Sequence, residues 1–256
     1  MSTGSTTIIF HERYLEDYPT ASVECPARIE SILPALADLS KHTPEPVLEE
    51  DVLRIHTPIH YNAIKRDGDL YEVAMLSAGG AVAASEMGME ARHVFALIRP
   101  PGHHASPQSS WGFCFFNNMA IAVERLVMAD RIEKALILDI DLHFGDGTDN
   151  YFHGDSKVTV WNVEDHDPGR FVDSVERALS ETVYDIVAVS AGFDTYEKDW
   201  GGILSTEDFH NIGKMVNGAA EANCGGRKFA LLEGGYYLPD LGENVRAFID
   251  GMEGKR

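Results

Sequence analysis

Basic residues are scarce in this chain. Among 256 residues there are 21 lysines and arginines against 41 aspartates and glutamates, a formal net charge of −20. Such an acidic excess opposes direct binding of nucleic acid or an anionic membrane surface, both of which carry dense negative charge. It suits a cationic substrate such as a polyamine or a lysine side chain, and it equally suits plain solubility. Cysteine is also rare. Cys25, Cys114 and Cys224 lie far apart, with no CxxC pair and no even-numbered framework, which points to a reducing compartment. Long apolar runs are missing, and none approaches the ~18 residues that span a bilayer. The opening residues, MSTGSTTIIF, lack a basic stretch ahead of an apolar core, so no secretory signal and a cytoplasmic location are expected. No repeat, low-complexity tract or Ser/Pro linker divides the chain, which predicts a single catalytic domain over residues 1–256. What is present is ordinary for a folded protein: 44% hydrophobic and 24% charged residues, enough to build a core.

Short, continuous apolar runs recur at Thr7–Phe10, Val94–Ile98, Ala135–Ile140, Val158–Val163, Tyr184–Ser190 and Lys228–Leu232. Continuous rather than alternating runs predict strands covered on both faces. Helical patterns lie between them at Arg28–Leu39, Leu76–Glu86, Asn118–Asp130, Asp173–Leu179, Thr206–Ala222 and Leu241–Ile249. Pro34 should kink the first or end its first part, and Ser205 or Thr206 should cap the fifth. Lys41–Pro46 reads as a loose segment. Alternating strands and helices predict an α/β fold with a mainly parallel sheet and helices on both faces. In such folds ligands bind at the carboxyl ends of strands. The polar strings RPPGHHA, DIDLHFGDG, AGFDT and EGGYY each follow one of these strands, so four strand ends should meet at one rim.

Asp139, Asp141 and His143 are spaced by two, so in extended chain their side chains share a face and should converge. Asp194, from another strand end, is a candidate third ligand beside Asp141 and His143. Two oxygens and one nitrogen with a position left for water describe a catalytic metal site suited to Zn²⁺, Fe²⁺ or Mn²⁺. Taken alone, the D-x-D-x-H run fits a polar strand end equally well. The adjacent pair His103 and His104 needs separate partners, and Asp139 and Asp146 can orient one each, the arrangement for shuttling a proton. Gly234 and Gly235 permit a sharp turn that aims the Tyr236 hydroxyl at a developing oxyanion, with Tyr237 as its competitor.

The strings RPPGHHA, GFCFFNNMAIA, LDIDLHFGDGT, SAGFDTYEKDWGG and LEGGYYLPDLGENV, in this order, resemble the zinc-dependent histone deacetylase superfamily, which includes acetylpolyamine amidohydrolases and prokaryotic deacetylase-like proteins. The resemblance runs from about Phe10 to Gly251. It implies a three-layer α/β/α, arginase-like fold and hydrolysis of an acylated amine, of the acyl-lysine or acylpolyamine type, by metal-bound water. It implies Asp141, His143 and Asp194 as metal ligands, and His104 as general base and then acid, backed by Asp146. His103, paired with Asp139, becomes its electrostatic companion. Tyr236 is implied to polarise the substrate carbonyl. Gly112 and Phe113 match the wall of the acyl channel, with Gly235 placed beside them as a substrate contact. Arg28 matches an arginine near the inner cavity, and backbone oxygens around Asp139, Asp141 and His143 match a K⁺ site.

Some residues depart from the family pattern. Phe144 replaces a frequent second histidine, at a position that is not a ligand. Trp161 falls near a serine that often touches K⁺. The stretches after His60 and from Asn162 to Tyr184 are short, and no second aromatic is evident opposite Phe113. A shallow channel, open on one side unless a second subunit of a homo-oligomer completes it, is therefore expected. The alternatives are an arginase-type ureohydrolase, which would hold two metals, and a non-catalytic acyl-lysine-binding regulatory protein.

Overall fold

A computed structural model describes residues 5–255. Among these residues seven strands form one sheet: β1 (Thr7–Ile9), β2 (Ser40–His42), β3 (Val94–Ala96), β4 (Ala135–Asp139), β5 (Val158–Asn162), β6 (Ile186–Ala191) and β7 (Lys228–Leu232). All pairings are parallel, in the order β2-β1-β3-β7-β6-β4-β5. The central strands are buried along their whole length. That burial is what their unbroken apolar runs encode, because a parallel sheet is covered by helices on both faces.

The helices are α1 (Ala27–Ile32), α2 (Glu49–Ile55), α3 (Pro58–Lys65), α4 (Gly68–Met89), α5 (Asn118–Met128), α6 (Asp146–Phe152), α7 (Pro168–Glu181), α8 (Thr206–Cys224) and α9 (Leu238–Met252). α8 packs on α7 and α9, and α4 packs on α5, giving the layers above and below the sheet. α1 stops at Ile32 and continues as a 3₁₀ turn over Leu33–Leu36, because Pro34 has no N–H to donate. Ser205 caps α8 in a capping box with Asp208. The segment expected to be loose at Lys41–Pro46 instead begins inside an edge strand: Ser40–His42 pairs with β1 although all three residues are exposed. An edge strand with no buried face leaves no hydrophobic pattern to read.

The order of the strands builds the site. β3, β7, β6 and β4 are neighbours, and their register aligns Ala96, Leu231, Ser190 and Asp139 in one row across the sheet. The four polar loops therefore leave the sheet at one level and on one rim, where ligands gather in such folds. No helix is long and apolar enough to cross a membrane among the described residues.

Candidate active site

Beyond β4 the chain is no longer extended. The Asp141 N–H donates to Asp139 Oδ1 at 3.0 Å, and the His143 N–H donates to Asp141 Oδ1 at 2.9 Å. These successive aspartate turns separate the two carboxylates. Asp139 Oδ2 faces His103 Nδ1 at 3.0 Å, whereas Asp141 faces His143. The expected convergence of Asp139, Asp141 and His143 is thus corrected. The donor atoms that do converge, within 4.8 Å of one another, belong to Asp141, His143 and Asp194.

In this cluster His143 Nδ1 lies 3.2 Å from Asp141 Oδ1 and 3.0 Å from Asp194 Oδ2. The remaining oxygens are tied to the backbone: Leu142 N–H donates to Asp194 Oδ1 at 3.0 Å, and Gly234 N–H donates to Asp141 Oδ2 at 2.8 Å. Asp194 Oδ2 is buried, and His143 Nδ1 is the polar group that faces it. Gly234 must be glycine for close approach, since a Cβ there would come 2.6 Å from Asp141 Oδ2 and 2.8 Å from Asp194 Oδ2. Burial and the charge of Asp141 push the Asp194 carboxyl up to about 6. Burial also opposes the charge on Asp141, but His103 and His143 overcome it and hold that carboxyl low. The two carboxylates raise His143 to about 10. A proton held between two carboxylates is what a divalent cation displaces. Two carboxylates and one imidazole, their donor atoms gathered within 4.8 Å, fit such an ion.

The two histidines occupy different electrostatic states. Burial lowers the pKa of His103, but Asp141 and Asp139 overcome it and keep the ring protonated. Burial, with the charge of His103, pushes His104 down to about 4. A cation therefore sits beside a neutral base, their ring centroids 4.0 Å apart. His104 Nδ1 lies 2.7 Å from Asp146 Oδ1. That partner places the proton on Nδ1 and leaves the lone pair on Nε2.

Tyr236 is fixed through its backbone. Asp199 Oδ2 accepts from the N–H groups of Tyr236 and Tyr237, at 2.6 and 2.8 Å. Behind the turn, Arg28 donates to the carbonyls of Gly235 (2.7 Å) and Glu233 (2.5 Å), and its guanidinium lies 4.9 Å from the Tyr236 ring. Glu24 bridges Arg28 and Arg99, and all three are buried. Burial keeps the Tyr236 phenol protonated, and so a donor. Tyr237 packs beside Tyr196 instead.

These groups line a cavity of about 360 Å³ that includes His103, His104, Gly112, Phe113, Asp141, His143, Gly234 and Tyr236. Gly235 does not line it. Its carbonyl accepts from Arg28, and a Cβ on it would come 2.8 Å from Leu241 Cδ1 and 3.0 Å from Phe193 Cβ, whereas Gly234 lines the cavity. Phe144 is exposed and lies outside the cluster. Phe113 meets Tyr236 edge-on at 6.0 Å. Two tryptophans also line the cavity: Trp111, stacked on His104 at 3.8 Å, and Trp200, stacked on Tyr236 at 4.2 Å. Sequence reasoning missed both. The available signal was two of only three tryptophans standing before glycines at the motif strings, Trp111 directly ahead of GFCFFNNMAIA and Trp200 within SAGFDTYEKDWGG. A second cluster, His103, Cys114 and Glu233, lies deeper. Burial pushes Glu233 up to about 7 and keeps the Cys114 thiol protonated, which makes it a poor metal ligand.

The histone deacetylase domain model matches residues 22–171 and 168–252. A histone deacetylase-like amidohydrolase of Pseudomonas aeruginosa is 30% identical over 90% of this chain and 77% of its own. A probable deacetylase of Methanothermobacter thermautotrophicus is 31% identical over 91% of this chain and 86% of its own. The polyamine deacetylase HDAC10 of Mus musculus is 26% identical over 97% of this chain and 48% of its own. The solved HD domain of HDA15 superposes with a TM-score of 0.85 at 24% identity, covering 98% of this chain and 90% of that one, and shares its fold. The five ordered motifs, the parallel sheet that gathers them and these matches lead to one assignment: the chain belongs to the histone deacetylase family.

Proposed function

We propose that the protein hydrolyses the amide of an N-acylated amine, releasing a short carboxylic acid and the free amine. The observation that carries this reading is one cavity lined by Asp141 and His143, with Asp194 buried beside them, and by a neutral His104 and a protonated Tyr236. A divalent cation, Zn²⁺ in the first instance, would be held by the cluster and would supply polarisation of the scissile carbonyl and acidification of water. His104 Nε2 accepts the proton of the attacking water, Asp146 stabilises the imidazolium that forms, and the same nitrogen returns the proton to the leaving amine. The His103 imidazolium offsets negative charge that develops nearby. The Tyr236 hydroxyl donates to the substrate oxygen as it becomes an oxyanion.

Asp139 faces His103 rather than the cluster, which favours one metal over the two of a ureohydrolase. The side chain of Trp161 offers no oxygen to K⁺, and its indole N–H donates to Ser174 at 3.1 Å. A K⁺ site would therefore rest on backbone carbonyls. The net charge of −20 and the carboxylates of Glu164, Asp165 and Asp167 support a cationic substrate, an acylpolyamine or an acyl-lysine. Asp199 leaves that group, because it serves the backbone of Tyr236. The test is a panel of acetylpolyamines, acetyl-lysine peptides and longer acyl-lysines, run on metal-defined protein with and without a chelator. Turnover abolished by chelation supports the reading. Binding of these compounds without turnover leaves the regulatory alternative.

A further inference from the structure

The carboxylate behind His104 is more exposed than the one behind His103. Asp139 is 1% exposed, and its second oxygen is held by a backbone N–H. Asp146 is 35% exposed. A carboxylate open to water changes partners readily unless another group fixes it. Trp111 is that group: its indole N–H reaches Asp146 Oδ2 at 2.9 Å and Oδ1 at 3.1 Å. Oδ1 also faces His104 Nδ1, so one oxygen joins the indole and the imidazole. The same indole lies over the His104 ring at 3.8 Å and 29°. The loop is shaped for this contact. Gly112 and Phe113 are consecutive left-handed residues (φ +57° and +68°), and a Cβ on Gly112 would come 2.4 Å from His104 Cδ2. Phenylalanine rarely adopts that conformation. Here it turns Trp111 onto His104 and Phe113 into the cavity.

We propose that Trp111 is a positioning residue of the proton-transfer unit: it clamps Asp146 and covers His104, so that the imidazole keeps its proton on Nδ1 and presents Nε2 to the substrate. The kinetic consequence rests on the amide-hydrolase reading above, whereas the tautomeric consequence does not. The competing role is a channel wall that touches only the substrate.

Trp111→Phe keeps an aromatic face and removes the N–H. With the metal-loaded enzyme and its best substrate, kcat should fall by ~10-fold, the order expected for one hydrogen bond to a charged acceptor, with KM changed less than about twofold. In an Asp146→Ala background the same substitution should cost less than about twofold, because the clamp has lost its object. Nitrogen-15 spectra of the histidine rings, with His104 identified by His104→Gln, should show the Nδ1–H tautomer in the wild type and a tautomer mixture in Trp111→Phe. The proposal is overturned if Trp111→Phe keeps the wild-type kcat and shifts only KM, if its cost is undiminished beside Asp146→Ala, or if the His104 spectrum is unchanged. Wild-type protein that turns over no acylated amine would defeat the hydrolase reading instead, and the spectra would still decide the role of Trp111.

Discussion

At the scale of single residues, two aromatic hydroxyls and two imidazoles stand next to each other in sequence and differ in what surrounds them. The Tyr236 ring lies between Arg28 and Trp200 in the cavity wall, and Tyr237 packs on Tyr196. Tyr236→Phe should lower kcat by ~10²–10³-fold with little change in KM or metal content, because an oxyanion donor acts mainly in the transition state. Tyr237→Phe should be nearly silent in steady-state kinetics, and a damaging Tyr237→Phe would exchange their roles. His104, neutral and with a free Nε2, should be the costlier histidine. His104→Ala should lose at least ~10² in kcat while retaining metal, and His103→Ala should lose less. The reverse order would move the proton transfer to His103. Residue types and spacing were enough to select these candidates from the sequence. Spacing did not reveal that aspartate turns after β4 send Asp139 and Asp141 to different partners, nor that Asp199 holds the Tyr236 backbone, because both depend on loop conformation.

Among the elements, those with a strong pattern were legible and those stabilised by tertiary contact were not. β7 falls at its expected bounds, and α8 begins at its expected cap. α2, α3 and α6, each of eight residues or fewer, carry little periodicity and depend on their neighbours. His56, at the end of α2, illustrates such a dependence. Its Nδ1 lies 3.1 Å from the Ser106 carbonyl, and its Nε2 accepts from the Asn117 N–H at the cap of α5. It thereby braces the loop that carries His103 and His104. Burial, with the nearby His60, pushes its pKa from 6.5 to about 3. The sign follows: above pH 6.5 both folded and unfolded chains hold it neutral. Between pH 6.5 and about 3 the unfolded chain takes the proton more readily, so stability falls as pH falls. His56→Asn should flatten the plot of unfolding free energy against pH in that window by up to ~1.4 kcal/mol per pH unit. Denaturant titrations at stepped pH measure this, and an unchanged slope would remove His56 from the account.

For the whole molecule, the sheet order is what makes a site. Strands far apart in the chain, β3, β4, β6 and β7, are neighbours in space, so four loops share one rim. The alternation of strands and helices announced such a sheet and one rim for the four polar strings, and the motif resemblance then indicated the role of each residue there. The central claim is that Asp141, His143 and Asp194 form one divalent-metal site on which hydrolysis depends. The most direct test is metal content by elemental analysis, measured beside turnover after loading with Zn²⁺, for the wild type, Asp194→Ala and His104→Ala. The account predicts one ion per chain in the wild type, loss of ion and activity together in Asp194→Ala, and a retained ion with lost activity in His104→Ala. Full occupancy in Asp194→Ala would contradict it.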